Sequence, residues 1–410
     1  MKKRSLLFFM TLLSLLFFQC QSDEITITPV PPPFPAGETI TIEQNITSDV
    51  TWTSGNTYIL NDMIVVTDFA TLTIEPCVVV KAANGATGLI ISQGSKIDAQ
   101  GTPICPVIFT SVDDLLEPGE IVSPNLTGED ARLWSGIFLL GEAPVSSATS
   151  TNIIPISSRL DLSSFGGNKP NDDSGTLRYV SIRHTGYETA PFEVPSGLNL
   201  GGVGSGTQVS HLEVFACADD GILLLGGTVD LSNLITSFQD DGYDCDMGYA
   251  GTMDNLICIG GDSRNSSCLE LDGGEGADNP VFTIKNASFK GAQNGTNYIK
   301  FQNNVNCIVE NVYFFEFDAE AEVILREDEE ADSWLAGLID VVNLEFNTSH
   351  LVMGNTTIET IFVDNGDNGN DAFTIRKPDA TIVTTPTTGA DKTVFDGWTI
   401  ASVTGALDDF

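Results

Sequence analysis

LEVFACADDG (212–221) returns 21 residues later as NLITSFQDDG (233–242), and LICIG (256–260) follows 22 residues after Leu234. Further along, NASF (286–289) maps onto NVYF (311–314) at an interval of 25. Each unit is a short apolar, β-branched run closed by Asp, Asn or Gly, which is the composition of a strand entering a turn. One such unit cannot bury its own apolar face, so units of 20–25 residues that return in register stack on one another as a solenoid. The spacing predicts an all-β, right-handed parallel β-helix of roughly ten coils, about 50 Å long at about 4.8 Å per coil. A pair of β-sandwiches is the alternative, and it leaves the in-register return of one motif unexplained.

Outward from this core the same texture continues in TLTIE (71–75), LIIS (89–92), VIFT (107–110) and YVSIR (179–183), with hardly a helical period between them. Two polar stretches, 113–130 and 142–173, read as loops leaving the coils. Residues 318–340 are acidic and carry the expected helices, around 319–326 and 329–338. There Trp334, Leu335, Leu338 and Ile339 form a stripe that caps the stack or docks on its side. The β-helix is expected over 39–317, the partly helical insertion over 318–340, and final coils or a cap over 341–410.

The chain opens with cationic MKKR (1–4) and an apolar run over 6–18 that ends at Cys20. About 13 residues are too few to span a bilayer but suit the apolar region of an export signal. Cys20 followed by QSDE (21–24) resembles a bacterial lipoprotein signal, although Gln19 stands where that pattern has a small residue. An ordinary secretory signal is the alternative. The expectation is a signal peptide over 1–19, lipidation of Cys20, and a tether over 20–38 whose TITPVPPPFPAG (26–37) is too proline-rich to coil up. The run Ser22-Asp23-Glu24 resembles surface-export signals of Bacteroidota lipoproteins, which implies an outer-membrane anchor facing the cell surface.

Charge excludes whole classes of partner. The 410 residues hold 56 acidic against 18 basic side chains, a formal net charge of −38. Such a surface repels nucleic-acid backbones and anionic membranes, and attracts divalent cations.

LTIEP (72–76), IFTS (108–111), LWSGIFLLGEAPV (133–145), LRYVSIRHTGY (177–187), LNLGGVGSGTQVSHLEVFACADDG (198–221) and DDGYDCDMG (240–248) resemble the secreted or surface parallel β-helix lipoproteins of Bacteroidota. The resemblance implies the fold and an envelope location, and no established activity. Cys77 stands where such relatives often have Gly.

The candidate chemistry is a ladder of acids: Asp219, Asp220, Asp240, Asp241, Asp244 and Asp246, followed by ELDGGE (270–275). In stacked coils these line one edge, where like charges raise one another's pKa, recruit Ca2+ or act as an acid/base pair. Asp219, Asp220, Asp240 and Asp241, with Arg183 as base, are the catalytic candidates of a glycoside hydrolase or calcium-dependent lyase, and Arg264 is the second basic candidate. Turn geometry is the competing explanation, with Asp accepting backbone N–H groups and Gly supplying positive φ. Polygalacturonase-type β-helices add a Gly-His-Gly and an Arg-Ile-Lys motif. Here none of His184, His211 and His350 lies between glycines, and Arg376-Lys377 is the nearest approach to the second.

DNGDNGND (364–371) lacks EF-hand spacing and reads as an exposed loop. The four tryptophans, Trp52, Trp134, Trp334 and Trp398, are core or cap residues, or else a row on one flank that stacks on sugars. Setting Cys20 aside leaves seven cysteines, with Cys77–Cys105, Cys217–Cys245 and Cys258–Cys268 as candidate pairs. Two functions survive. One is a non-enzymatic surface scaffold that binds an outer-membrane β-barrel partner or a glycan. The other is a polysaccharide-cleaving β-helix enzyme.

Overall fold

The computed structural model describes residues 37–149, 152–261, 266–292, 297–351, 356–366 and 371–410. The leader, Cys20, most of the tether and Arg264 lie outside them. Two long parallel sheets carry the body. One follows a path from Thr39–Ile42 to Ala380–Ile382, and the other orders ten strands from Met63–Val66 to Phe362–Asp364. The coils wind right-handed as a parallel β-helix, and the ten-strand sheet matches the expected number of turns.

The first sheet is folded along a line. In Gly175–Arg183, residues 175–178 extend Lys96–Gln100 while 180–182 extend Val107–Ser111. Tyr179 between them has φ +50°. Every later coil turns the same corner on one left-handed residue: His211, Asn233, Asn255, Asn286, Asn311 and Asn343, with φ from +54° to +63°. Asn tolerates this region better than other side chains with a Cβ. The stacked amides also bond to one another: Asn255 Nδ2 donates to Asn233 Oδ1 (2.7 Å), Asn311 to Asn286 (3.3 Å) and Asn343 to Asn311 (2.9 Å).

That corner corrects one interval. Leu212 pairs with Leu234, 22 residues on, and only from the Asp-Asp-Gly turn does the interval shorten to 21, as in Ile222 with Tyr243. Inside the coils, Ile137, Leu198, Ile222, Tyr243, Leu269, Ile299 and Val323 form one continuous buried row. All four tryptophans are buried, so none offers a face to a sugar. Cys77, at φ +64°, is joined to Cys105 by a disulfide with Cα atoms 4.8 Å apart. Cys217 and Cys245 are free and buried, as are Cys258 and Cys268, so neither of those pairings is made. They serve as small apolar core residues.

The expected helix over 319–326 does not form. Val323–Leu325 is instead a strand between Asn297–Gln302 and Phe362–Asp364. The second expected helix is present as Asp328–Ala336, closed by a Glu327/Glu330 capping box and by Gly337 at φ +74°. Its Trp334 packs against Phe373 and under Arg376, while Leu335 and Leu338 stay exposed.

After Ala380–Ile382 the chain turns back along the outside of the first sheet. Thr387 N donates to Glu345 Oε2 (2.7 Å), Ala390 N to Ser288 Oγ (2.9 Å), Asp391 N to Asn255 Oδ1 (2.6 Å) and Ile400 N to Glu213 Oε1 (2.7 Å). Phe395 and Trp398 cover Ile235, Ile257 and Ile259. Within 341–410, Phe362–Asp364 and Ala380–Ile382 thus extend the two sheets as further coil strands, and the tail beyond them staples strands from Ile339–Asn347 back to Gln208–Phe215. Truncating Trp398 (Trp398→Ala) should destabilise the fold by about 3–5 kcal/mol, as expected for a buried aromatic. Chemical denaturation checks this, and an unchanged midpoint would mean that the tail is not part of the cooperative unit.

Candidate functional site

The tail covers the second half of the folded sheet, and the predicted acids lie on the outer surface of the ten-strand sheet. Strands Ile222–Leu225, Asp241–Asp246, Ser267–Asp272 and Asn297–Gln302 set Leu223, Asp244, Glu270 and Lys300 in one register row. Strand alternation turns the neighbours of Leu223, Ile222 and Leu224, into the core. Asp246, Asp272 and Gln302 lie two residues further along their strands. The paired acids Asp219-Asp220 and Asp240-Asp241 sit at the corner that leads into this face.

The turn glycines are there for space rather than for φ. Gly221 and Gly242 do not take positive φ, contrary to expectation. A Cβ on Gly221 would lie 2.6 Å from the Thr236 methyl and 2.7 Å from the Gly242 carbonyl oxygen; one on Gly242 would lie 2.7 Å from the Cys268 oxygen and 2.8 Å from Cys258 Sγ. Coil backbones therefore approach closely at this corner and press the acids together. Asp241 N donates to Asp220 Oδ1 (3.2 Å), and Asp240 N to the Asp219 carbonyl (2.9 Å).

Lys300 answers this charge. Its Nζ lies 2.7 Å from Glu270 Oε2, 3.4 Å from Asp241 Oδ1 and 2.5 Å from Ser266 Oγ. Gln302 Nε2 donates to Glu270 (2.5 Å) and Asp272 (2.8 Å), and Ser267 donates to Asp241. Burial, and after it the charge of Asp240, pushes Asp219 up to about 6. Burial raises Asp241 to about 8, with Lys300 opposing and Glu270 adding to the shift. Burial likewise carries Asp246 to about 6, and Asp220 and Asp244 well above the usual carboxylate range. Glu270 goes the other way: burial alone would raise it, but hydrogen bonds from Asp241 and Lys300 hold it below its ordinary value. Asp241 is thus the protonated partner and Glu270 the ionised one.

The structure brings the six predicted aspartates to one region and separates Arg183 from them. The Arg183 guanidinium is fully buried on the other sheet, paired with Glu213 (3.5 Å) and donating to Ser181 Oγ (2.7 Å) and the Ile121 carbonyl (2.6 Å). It holds the 113–130 loop and is no base for a substrate. His184 is buried as well, its Nδ1 2.5 Å from the Asp130 carbonyl. Among the described residues no three His, Cys, Asp or Glu side chains are grouped to hold a metal ion. In the second acidic cluster, Asp364 accepts from Gly366 N and Ala372 N, and Asp371 caps Ala372–Ile375; residues 367–370 lie outside the described set. Sequence reasoning misses Lys300 and Gln302, although a lysine in a strand of so acidic a chain is a usable signal.

Beside the ladder, the 142–173 loop lies along the sheet, with Ser146 N donating to the Met247 carbonyl (2.7 Å) and Glu275 N to the Ser146 carbonyl (3.1 Å). Between this loop, the 189–195 turn and the floor residues Asn199, Leu223 and Leu225 is a cavity of about 350 Å³.

Comparison with curated proteins and with solved structures found no match. A family model described as a pectate-lyase like beta helix domain matches residues 44–399, most of the coiled body and the whole ladder. The chain belongs to the pectate-lyase-like β-helix domain family.

Proposed function

We propose that this protein is a non-enzymatic glycan-binding scaffold, exported through a signal over 1–19, anchored to the outer membrane at a lipidated Cys20 and displayed at the cell surface as in Bacteroidota lipoproteins. The cavity beside the ladder carries the reading: an apolar floor with polar groups on its rim is the usual form of a small-ligand site. Several features favour binding over cleavage. Lys300 Nζ sits between Asp241 (3.4 Å) and Glu270 (2.7 Å), in the space that the two carboxylates of a glycosidase leave for the sugar or a water. Arg183, the expected base of a lyase, is buried on the other sheet. Lys300 neutralises part of the ladder's charge through Asp241 and Glu270.

A glycan array probed with the full-length lipoprotein in mild detergent tests the proposal. Retention of a defined glycan class without release of reducing ends is the expected result. Turnover that is lost in Asp241→Asn with the fold intact would establish the polysaccharide-cleaving alternative. Co-purification of a stoichiometric β-barrel protein with no glycan retained would move the function to an accessory subunit.

The ladder also sets a pH window for stability. Asp219, Asp246 and Asp241 ionise in the folded protein at about 6, 6 and 8, against about 3.9 in an unfolded chain. Between those limits the folded state holds more protons, so stability falls as pH rises. From about pH 4 upward the melting temperature should decline towards pH 8, and Asp241→Asn should flatten the upper half of that decline. A flat profile over pH 5–8 would contradict the shifts. Removing the buried amine (Lys300→Met) should destabilise by about 3 kcal/mol, because Asp241 and Glu270 lose their partner; urea denaturation at pH 7 reads this.

A further inference from the structure

We infer that Lys300 and Asp241 condense into an amide bond, with Glu270 as the proton carrier, so that the ten-strand sheet is cross-linked by its own side chains. The three groups stand where such a reaction needs them. Lys300 Nζ lies 3.4 Å from Asp241 Oδ1, with the carboxyl carbon one bond beyond, and 2.7 Å from Glu270 Oε2. Reacting atoms held about 3–3.5 Å apart are close to attack, and effective concentrations of about 10⁵–10⁸ M drive a condensation that water opposes between free reagents. The side chains of Lys300, Asp241 and Glu270 are only 13, 8 and 21% exposed, so little water reaches the bond to reverse it.

The two carboxyl groups differ in the way the step requires. An ionised carboxylate resists an amine, whereas a protonated one can lose water. Asp241, raised by burial to about 8, keeps its proton at neutral pH, and Ser267 donates to its Oδ1, where negative charge would develop. Glu270 stays ionised, is held by Gln302 Nε2 (2.5 Å), and is within proton-transfer reach of the amine. Burial opposes the Lys300 ammonium, but Asp241 and Glu270 carry it above its ordinary value, so the free amine has to be made in place. Its proton passes to Glu270, which turns a poorly solvated ion pair into two neutral groups. The amine then attacks Asp241 Cγ and the C–N bond forms. As the C–OH bond breaks, Glu270 gives its proton to the departing hydroxyl, which leaves as water, and takes the second proton from nitrogen. Glu270 ends protonated, and no co-reactant is needed.

The bond would join positions 59 residues apart, tying Asp241–Asp246 to Asn297–Gln302 across Ser267–Asp272. The pH profile given above is that of the chain before the bond forms. Afterwards Asp241 has no proton to exchange, and only the part of the decline owed to Asp219 and Asp246 remains.

Peptide mapping by mass spectrometry of the folded, full-length chain after incubation at pH 7 tests the inference. The expected product is a branched peptide that joins the segments around 241 and 300 and is lighter than their sum by one water. Lys300→Arg, whose guanidinium is no nucleophile, should abolish it. Glu270→Gln should slow its formation by about 100-fold or more, and an unchanged rate there would remove Glu270 as the carrier. Because Asp241 precedes Gly242, ring closure onto the backbone also loses water, but that product is unbranched and persists in Lys300→Arg. In the wild type, finding only that ring, only linear peptides, or a branch at Glu270 in place of Asp241 would overturn the inference without recourse to any variant.

Discussion

In-register parallel stacking governs everything else in this molecule. Each side chain stands about 4.8 Å from its equivalent in the next coil, so whatever a coil places at a position it places in a row. Rows of Val, Ile and Leu become the core. A row of Asn becomes the folded corner of the first sheet, where amides bond along the stack and, where the row breaks, to Asp254 and to Asp391 of the tail. A row of carboxylates has no such property. Two charges at that spacing repel by about 3.5 kcal/mol at an effective dielectric of 20. The ladder persists because Lys300 and Gln302 enter it from the next strand and because burial keeps several acids protonated.

The two sheets have different fates as a result. The folded sheet carries Ile235, Ile257 and Ile259 on its outside, and the tail covers them. The ten-strand sheet carries its polar row outward, together with a cavity under the 142–173 loop. The tail therefore leaves the outer surface of the ten-strand sheet uncovered while it hides the apolar strip of the folded one.

Much of the fold is legible in the sequence because β-branched runs and their interval are local signals that survive without neighbours. The acid ladder is legible for the same reason. What stays hidden depends on partners distant in the chain. Arg183 beside His184 looks like a base, but Glu213 stands opposite Ser181 on the adjoining strand and takes it into the core. Residues 319–326 contain good helix formers, yet strands on both sides draw Val323–Leu325 into the sheet, where tertiary pairing overrides propensity. The tail has no repeat, so nothing in its own sequence tells where it docks. The one-residue change of interval between strand and turn is masked because the Asp-Asp-Gly motif aligns better than the strand that precedes it.

The tail's route has a consequence for how the protein is made. A solenoid can close coil upon coil as it emerges, but the bond from Ile400 to Glu213 joins positions 187 residues apart. The apolar outer strip of the middle coils therefore stays open until residues 395–400 have been made and docked. A chain without residues 387–400 would leave that strip open to chaperones and proteases.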